Sequence, residues 1–233
     1  MQYNTAYSTL KSDTYDLGLR NYMLQVYNYM TVALALSGLV SLGVSMSPTL
    51  MTLIWGTPLK WVVVFLPLIM SLGFMFMIDK INSQTAKLFL FAFAAAMGLS
   101  ISSIFAVYKM GSIVQVFFIS SATFGAASLY GYTTKKNLTS MGSFLMMGLI
   151  GIVIAGVVNL FLQSSAFAFV ISILAVLVFT GLTAYDTQQI KSFYDDLEGE
   201  DREKAGVIGA LMLYMDFINI FIHLLQLIGD KKE

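Results

Sequence analysis

The chain has 233 residues, 58% of them hydrophobic and 11% charged, with mean hydropathy +0.78. Soluble globular domains carry about a quarter charged residues, so a water-soluble fold is excluded. The lack of cysteine excludes a disulfide framework and thiol chemistry, and a formal net charge of +0 removes any strong pull toward nucleic acid or anionic lipid.

The start, "MQYNTAYSTLKSDTYDLGLRNYM", is polar and lacks the basic-then-apolar order of a signal peptide. It is expected to be a short tail, residues 1–25. Seven apolar blocks follow, at 26–46, 61–78, 88–108, 113–132, 143–162, 166–186 and 206–228. Each is long enough to cross a hydrocarbon core of about 30 Å at about 1.5 Å per residue. The expected fold is all-α, a polytopic seven-transmembrane-helix bundle over residues 26–229, with a C-terminal tail at 230–233.

Lys and Arg distribute unevenly between the two sets of loops. Lys11, Arg20, Lys80, Lys87, Lys135, Lys136, Lys191, Arg202 and Lys204 fall on the side of the N-terminal tail, against Lys60, Lys109, Lys231 and Lys232 on the other. The excess places the N-terminus in the cytoplasm. Small residues recur every four positions (Ser37, Ser41 and Ser45; Ala92, Ala96 and Ser100; Ala122 and Ala126) and are expected to let helices approach closely in lipid. Pro67 is expected to kink the second span. The longest connection, "TQQIKSFYDDLEGEDREKA", carries an acidic cluster that does not fit a calcium-binding helix–loop–helix pattern, because Leu197 stands at a ligand position. It reads as a solvated linker.

Two aspartates fall inside the last spans. Asp216 lies near the centre of "ALMLYMDFINIFIHLLQLIG", followed by Asn219, His223 and Gln226 at steps of three, four and three. All four share one stripe of the helix, which is expected to face the bundle interior or a water-filled pore. Asp186, in "FTGLTAYDTQQIK", has Thr183 and Gln189 on its own face and sits close to the cytoplasmic end of span six. Antiparallel packing of the two helices brings the carboxyl groups together if span six continues past Asp186. Two buried carboxylates in contact cannot both ionise cheaply, so such a pair senses protons or holds a cation. Ca²⁺, which prefers carboxylate and carbonyl oxygens, is the candidate metal at Asp186 and Asp216. Lys80, in "MFMIDKINS" at the end of span two, is a candidate latch that neutralises Asp186 in one conformation. A lone histidine without cysteine argues against zinc or a haem pair, and a single His on an apolar helix, as His223 is, more often serves packing than function.

"GLTAYDTQQIK", the last span and "LYGYTTKKNLTSMGSFLMMGLIGIVIA" together resemble the transmembrane Bax-inhibitor-motif (Bax inhibitor-1) family, with the strongest similarity to its bacterial YccA/YbhL-type inner-membrane members. The resemblance covers nearly the whole chain. It implies seven helices with the last one central, and a pH-sensitive Ca²⁺ leak across a bacterial inner membrane. In that picture Asp186 and Asp216 form the proton-sensing pair, and a basic residue ending span two, here Lys80, acts as the latch. No cofactor is implied. Some bacterial members are linked to the membrane protease FtsH, which makes a non-conducting regulator of such a protease the alternative function.

An enzyme is the third reading. Intramembrane aspartyl proteases also place two aspartates on consecutive helices, one in a "YD" context such as Tyr185-Asp186. Their second aspartate lies in G-x-G-D, whereas Leu213, Tyr214 and Met215 precede Asp216. A retinal protein is disfavoured by the absence of lysine from span seven, and no nucleotide-binding loop is present.

Overall fold

Every apolar block becomes helix in the computed structural model, which describes residues 2–232, with side chains from Leu17 onward. Met1 and Glu233, the outermost positions of the two expected tails, lie outside the described residues. In chain order the elements are α1 (Gln2–Ser45), α2 (Pro48–Trp55), α3 (Leu59–Met77), α4 (Ser83–Ile101), α5 (Ile104–Val107), α6 (Met110–Thr133), α7 (Thr139–Leu162), α8 (Ser165–Asp196) and α9 (Gly199–Ile228). Seven stretches are long and apolar enough to cross a membrane; α4 and α5 together make the third of them, Ser83–Val107. The protein is a polytopic all-α membrane protein.

Local chemistry sets several boundaries. Ser47 caps α2 by accepting from the backbone N–H of Leu50, and Pro48 occupies the first helical position, where its missing N–H costs nothing. Asn82 Oδ1 caps α4, 2.8 Å from the N–H of Thr85, and Ser164 caps α8 through Phe167. Gln163 adopts a left-handed conformation (φ 50°) that ends α7. Pro67 is buried within α3, which runs unbroken from Leu59 to Met77.

Two expectations about boundaries change. Residues 2–25 are part of α1, and its membrane-length portion starts at Leu17 rather than at residue 26. Leu19, Tyr22, Met23, Val26, Met30 and Ala33 are buried at helical spacing, so a core face runs through sequence that its polar neighbours disguise. The supposed solvated linker is reduced to Leu197 and Glu198, which separate α8 from α9. The apolar face of α8 continues through Ile190, and Ala205 and Val207 start the buried face of α9. The acidic residues are helical and partly engaged. Glu203 pairs with Lys87 and accepts from Ser83 Oγ at 3.1 Å, while Glu200 accepts from the Ser83 N–H at 3.4 Å. Carboxylates thus meet the positive end of α4.

α9 is central, with α1, α4, α6 and α8 packed around it. Leu213, Tyr214 and Ile220 are fully enclosed. Tyr214 Oη lies 2.7 Å from Ser37 Oγ, and that hydroxyl is 2.8 Å from the carbonyl of Ala94, so one buried cluster ties α9, α1 and α4. Ser37 and Ser41 are buried as the small-residue pattern requires, and a Cβ added to Gly98 would stand 2.6 Å from Ser37 O. The Ala122/Ala126 ridge does not pack: both alanines are exposed, and α6 buries Phe124, Ala127, Ser128 and Gly131 instead. A Cβ on Gly131 would fall 2.1 Å from the carbonyl oxygen of Ala184, so α6 and α8 approach backbone to backbone there. In contrast, α7 packs chiefly on α8 and leaves most of its surface exposed.

Candidate functional site

The site forms where α8 and α9 cross. Ser172, Phe179, Thr183, Asp186 and Ile190 recur along α8 at steps of seven, four, three and four and are all buried, forming one face. α9 presents Asp216 to that face. Asp186 is 8% and Asp216 4% exposed. α8 continues from Asp186 to Asp196, roughly 15 Å of further helix. Asp186 therefore lies well inside the bundle rather than near its end, which removes the mismatch in depth between the two residues.

The carboxyl groups of Asp186 and Asp216 stand within hydrogen-bonding reach of each other. Among the described residues no N–H or O–H donor reaches Asp216 Oδ2, although that atom is fully buried. The Thr183 hydroxyl is close to Asp216, but its one proton is directed to Phe179 O at 2.8 Å. Two carboxylates without a donor are acceptors facing acceptors, a repulsive contact unless a proton lies between them. Behind Asp186, Thr187 Oγ1 lies 3.0 Å from Ser128 Oγ, which is 2.6 Å from Tyr27 Oη. That chain of hydroxyls connects α8 through α6 to α1 and fixes the turn carrying Asp186.

Both aspartates line a cavity of ≈ 920 Å³ walled by α3, α7, α8 and α9. Gln189, Asn219 and His223 line it too; most of the remaining wall is apolar, including Met75, Met146 and Val153. Asn219 donates to Met215 O at 2.8 Å. The expected polar stripe is therefore a cavity face at Asp216, Asn219 and His223. Gln226 departs from it, lining a separate cavity of ≈ 550 Å³ toward the C-terminal end of α9 together with His223. Exposure rises along the stripe, from buried Asp216 through half-buried Asn219 and His223 to exposed Gln226. His223 Nδ1 lies 3.4 Å from Ser172 Oγ, and its ring stacks on Phe179 with centroids 6.5 Å apart.

Lys80 is not brought to the pair. It is exposed in the turn after α3, does not line the cavity and makes no ion pair among the described residues. Basic residues engaged at that end of the bundle include Lys87, through Glu203, and Arg202, which donates to Leu197 O. As for metal, no group of three or more His, Cys, Asp or Glu side chains suited to an ion occurs among the described residues. Asp186 and Asp216 alone supply too few oxygens for a resident Ca²⁺, which takes six to eight. Residues that sequence reasoning missed include Ser172, which touches both His223 and Gln226, and the Tyr27–Ser128–Thr187 chain. Ser172 was visible as a polar residue on the Asp186 face, about four turns upstream in a largely apolar run.

Residues 19–233 match the family described as inhibitor of apoptosis-promoting Bax1. An uncharacterised protein of Rickettsia prowazekii is 43% identical over 231 residues, 98% of each chain. A second, from Caulobacter vibrioides, is 40% identical over 94% of this chain and 92% of its own. The inner membrane protein YbhL of Escherichia coli is 39% identical over 92% of this chain and 94% of its own. With its family pattern matched over nearly the full length and relatives of equal extent, the chain belongs to the Bax-inhibitor family of membrane proteins.

Proposed function

We propose that the protein is a passive cation leak pathway of a bacterial inner membrane, with Ca²⁺ as the permeant ion and the Asp186–Asp216 pair as its proton-sensitive gate. The N-terminus is cytoplasmic in this reading, from the distribution of Lys and Arg. The observation that carries it is the contact of two buried carboxyl groups facing a cavity inside membrane-length helices. An ionisable group at such depth is a functional element by default. With one proton shared, the pair is a hydrogen-bonded clasp between α8 and α9. Without it, the two groups repel, and either the helices shift or a cation enters to compensate. Ca²⁺ then meets the pair as a passing ion, its remaining ligands being water and backbone carbonyl groups. Lys80 joins only in a conformation that brings the end of α3 inward.

Transport rather than enzyme chemistry is favoured by the surroundings of Asp216. Leu213 and Tyr214, which precede it, are fully enclosed and packed away from the cavity, where a protease would need a substrate strand. The experiment is Ca²⁺ efflux from proteoliposomes across pH, for wild type, Asp186→Asn and Asp216→Asn. Flux whose pH dependence is flattened in both variants supports the reading; flux with an unchanged profile in both removes the sensor. No flux at any pH, with co-purification of a membrane protease such as FtsH, supports the regulator instead.

A further inference from the structure

Between the Asp186–Asp216 pair and the C-terminal end of α9, the polar stripe passes from one cavity to another. The ≈ 920 Å³ cavity of the aspartates and the ≈ 550 Å³ cavity beyond it share three lining residues, Gly156 of α7, Ile171 of α8 and His223 of α9. His223 is the one large polar side chain common to both. Its imidazole is held between the Ser172 hydroxyl and the ring of Phe179. Ser172 Oγ also lies 2.8 Å from Gln226 Oε1, on the far side of the partition.

The farther cavity has a distinctive wall. Asn159, Ser172, His223, Gln226 and Lys231 line it, and among the described residues no carboxylate does. Lys231 is held over it by a strap of backbone bonds that follows α9. Lys109 N–H donates to Asp230 O and Lys232 N–H to Val107 O, each at 2.9 Å, and the Asp230 N–H donates to Ser112 Oγ at 2.9 Å. The strap is therefore anchored to the start of α6 and the end of α5, which sets the exposed Lys231 at the rim of the cavity.

We propose that this cavity is the second mouth of the permeation path, closed in this structure by His223 between Ser172 and Phe179, with Lys231 as a fixed positive charge that slows cation entry. The proposal rests on the leak reading for its purpose, but its geometry is testable without flux. A partly polar cavity roomy enough for water and open at one end of the bundle exposes its wall to aqueous reagents from that face alone. A side chain beyond the partition, such as Asn219, is shielded from the same face until the partition is removed.

The native chain contains no cysteine, so single-cysteine variants can be read directly with a charged, membrane-impermeant thiol reagent applied to spheroplasts and, separately, to inverted vesicles. Lys136→Cys, in the α6–α7 connection at the opposite end, reports the other face. Gln226→Cys and Asn159→Cys are expected to react from the face opposite to Lys136→Cys. Asn219→Cys is expected to be protected from that face and to become reactive when His223→Ala is added. Failure of both Gln226→Cys and Asn159→Cys to react from that face overturns the mouth. Unchanged protection of Asn219→Cys in the His223→Ala background overturns the partition, provided the double variant elutes as the wild type does. In flux measurements at low salt, Lys231→Glu is expected to raise Ca²⁺ entry roughly tenfold, the effect in water of reversing one unit charge about 10 Å from a divalent ion. Labelling as expected without flux in any variant would refute the leak and leave the vestibule standing; flux with unreactive Gln226→Cys and Asn159→Cys would do the reverse.

Discussion

Asp216→Asn isolates the charge of the pair from its shape. Asparagine has nearly the volume of aspartate, and its amide N–H can donate to Asp186 at every pH, standing in for the shared proton. The group it replaces is 4% exposed and has one oxygen without any donor, so solvent does little to screen it. With charge centres about 5 Å apart and an effective dielectric constant of about 20, two ionised carboxylates repel by about 3 kcal/mol. At acid pH the wild-type pair holds its proton and the variant resembles it, so the two proteins should melt alike. As pH rises the wild type alone bears the repulsion, so the advantage of the variant should grow toward about 3 kcal/mol. The growth is bounded by about 1.4 kcal/mol per pH unit for each proton released. If that energy separates the closed and open states, it corresponds to a change of roughly 100-fold in their ratio. The assays are thermal unfolding in detergent and Ca²⁺ efflux from liposomes, both from pH 5 to about 9. A variant that keeps the full pH dependence of flux, or whose stability difference from wild type does not vary with pH, refutes the shared-proton clasp.

Gly131→Ala should cost about 1–3 kcal/mol, because its Cβ would fall against Ala184 O; thermal unfolding checks the stability, and a displaced Asp186 should appear as an altered pH profile of efflux. Tyr214→Phe removes the 2.7 Å bond to Ser37 and should lower stability by about 1 kcal/mol without touching the pH dependence, since the hydroxyl lies outside the cavity. Lys80→Ala should leave both stability and pH profile unchanged, because Lys80 is exposed and apart from the pair; a shifted profile would show that α3 carries it inward during opening. Lys87→Ala should cost less than about 1 kcal/mol in unfolding experiments, since Glu203 is partly exposed.

What was readable in the sequence followed from strong, local signals. Membrane-length apolar runs marked all seven spans, because hydrocarbon solvation leaves little freedom in composition. The Asp216–Asn219–His223 stripe was legible because polar side chains in such a helix are few and their spacing fixes a face. What was hidden depended on contacts across helices. The polar stretch from Thr187 to Ala205 looked like a linker by composition, yet Ile190 and Val207 carry a buried face through it. α1 begins long before its apolar block for the same reason. Gln226 lies on the stripe of Asp216, but the space beside α9 falls into two cavities that meet at Gly156, Ile171 and His223, a division no spacing within one helix reveals. Lys80 was placed by its position at the end of span two and by resemblance, and where it lies relative to Asp186 depends on how α3 ends.

The attachment of α7 along a single seam with α8 has a consequence for any measurement. This helix forms part of the wall of the cavity that holds the aspartates, and its outward side is covered by whatever solvent surrounds the protein. Acyl chains are therefore a structural component of that wall. Lipid length and lateral pressure should bear on the enclosure of the carboxyl groups, and the same molecule in a detergent micelle rests against a softer backing than it does in a bilayer.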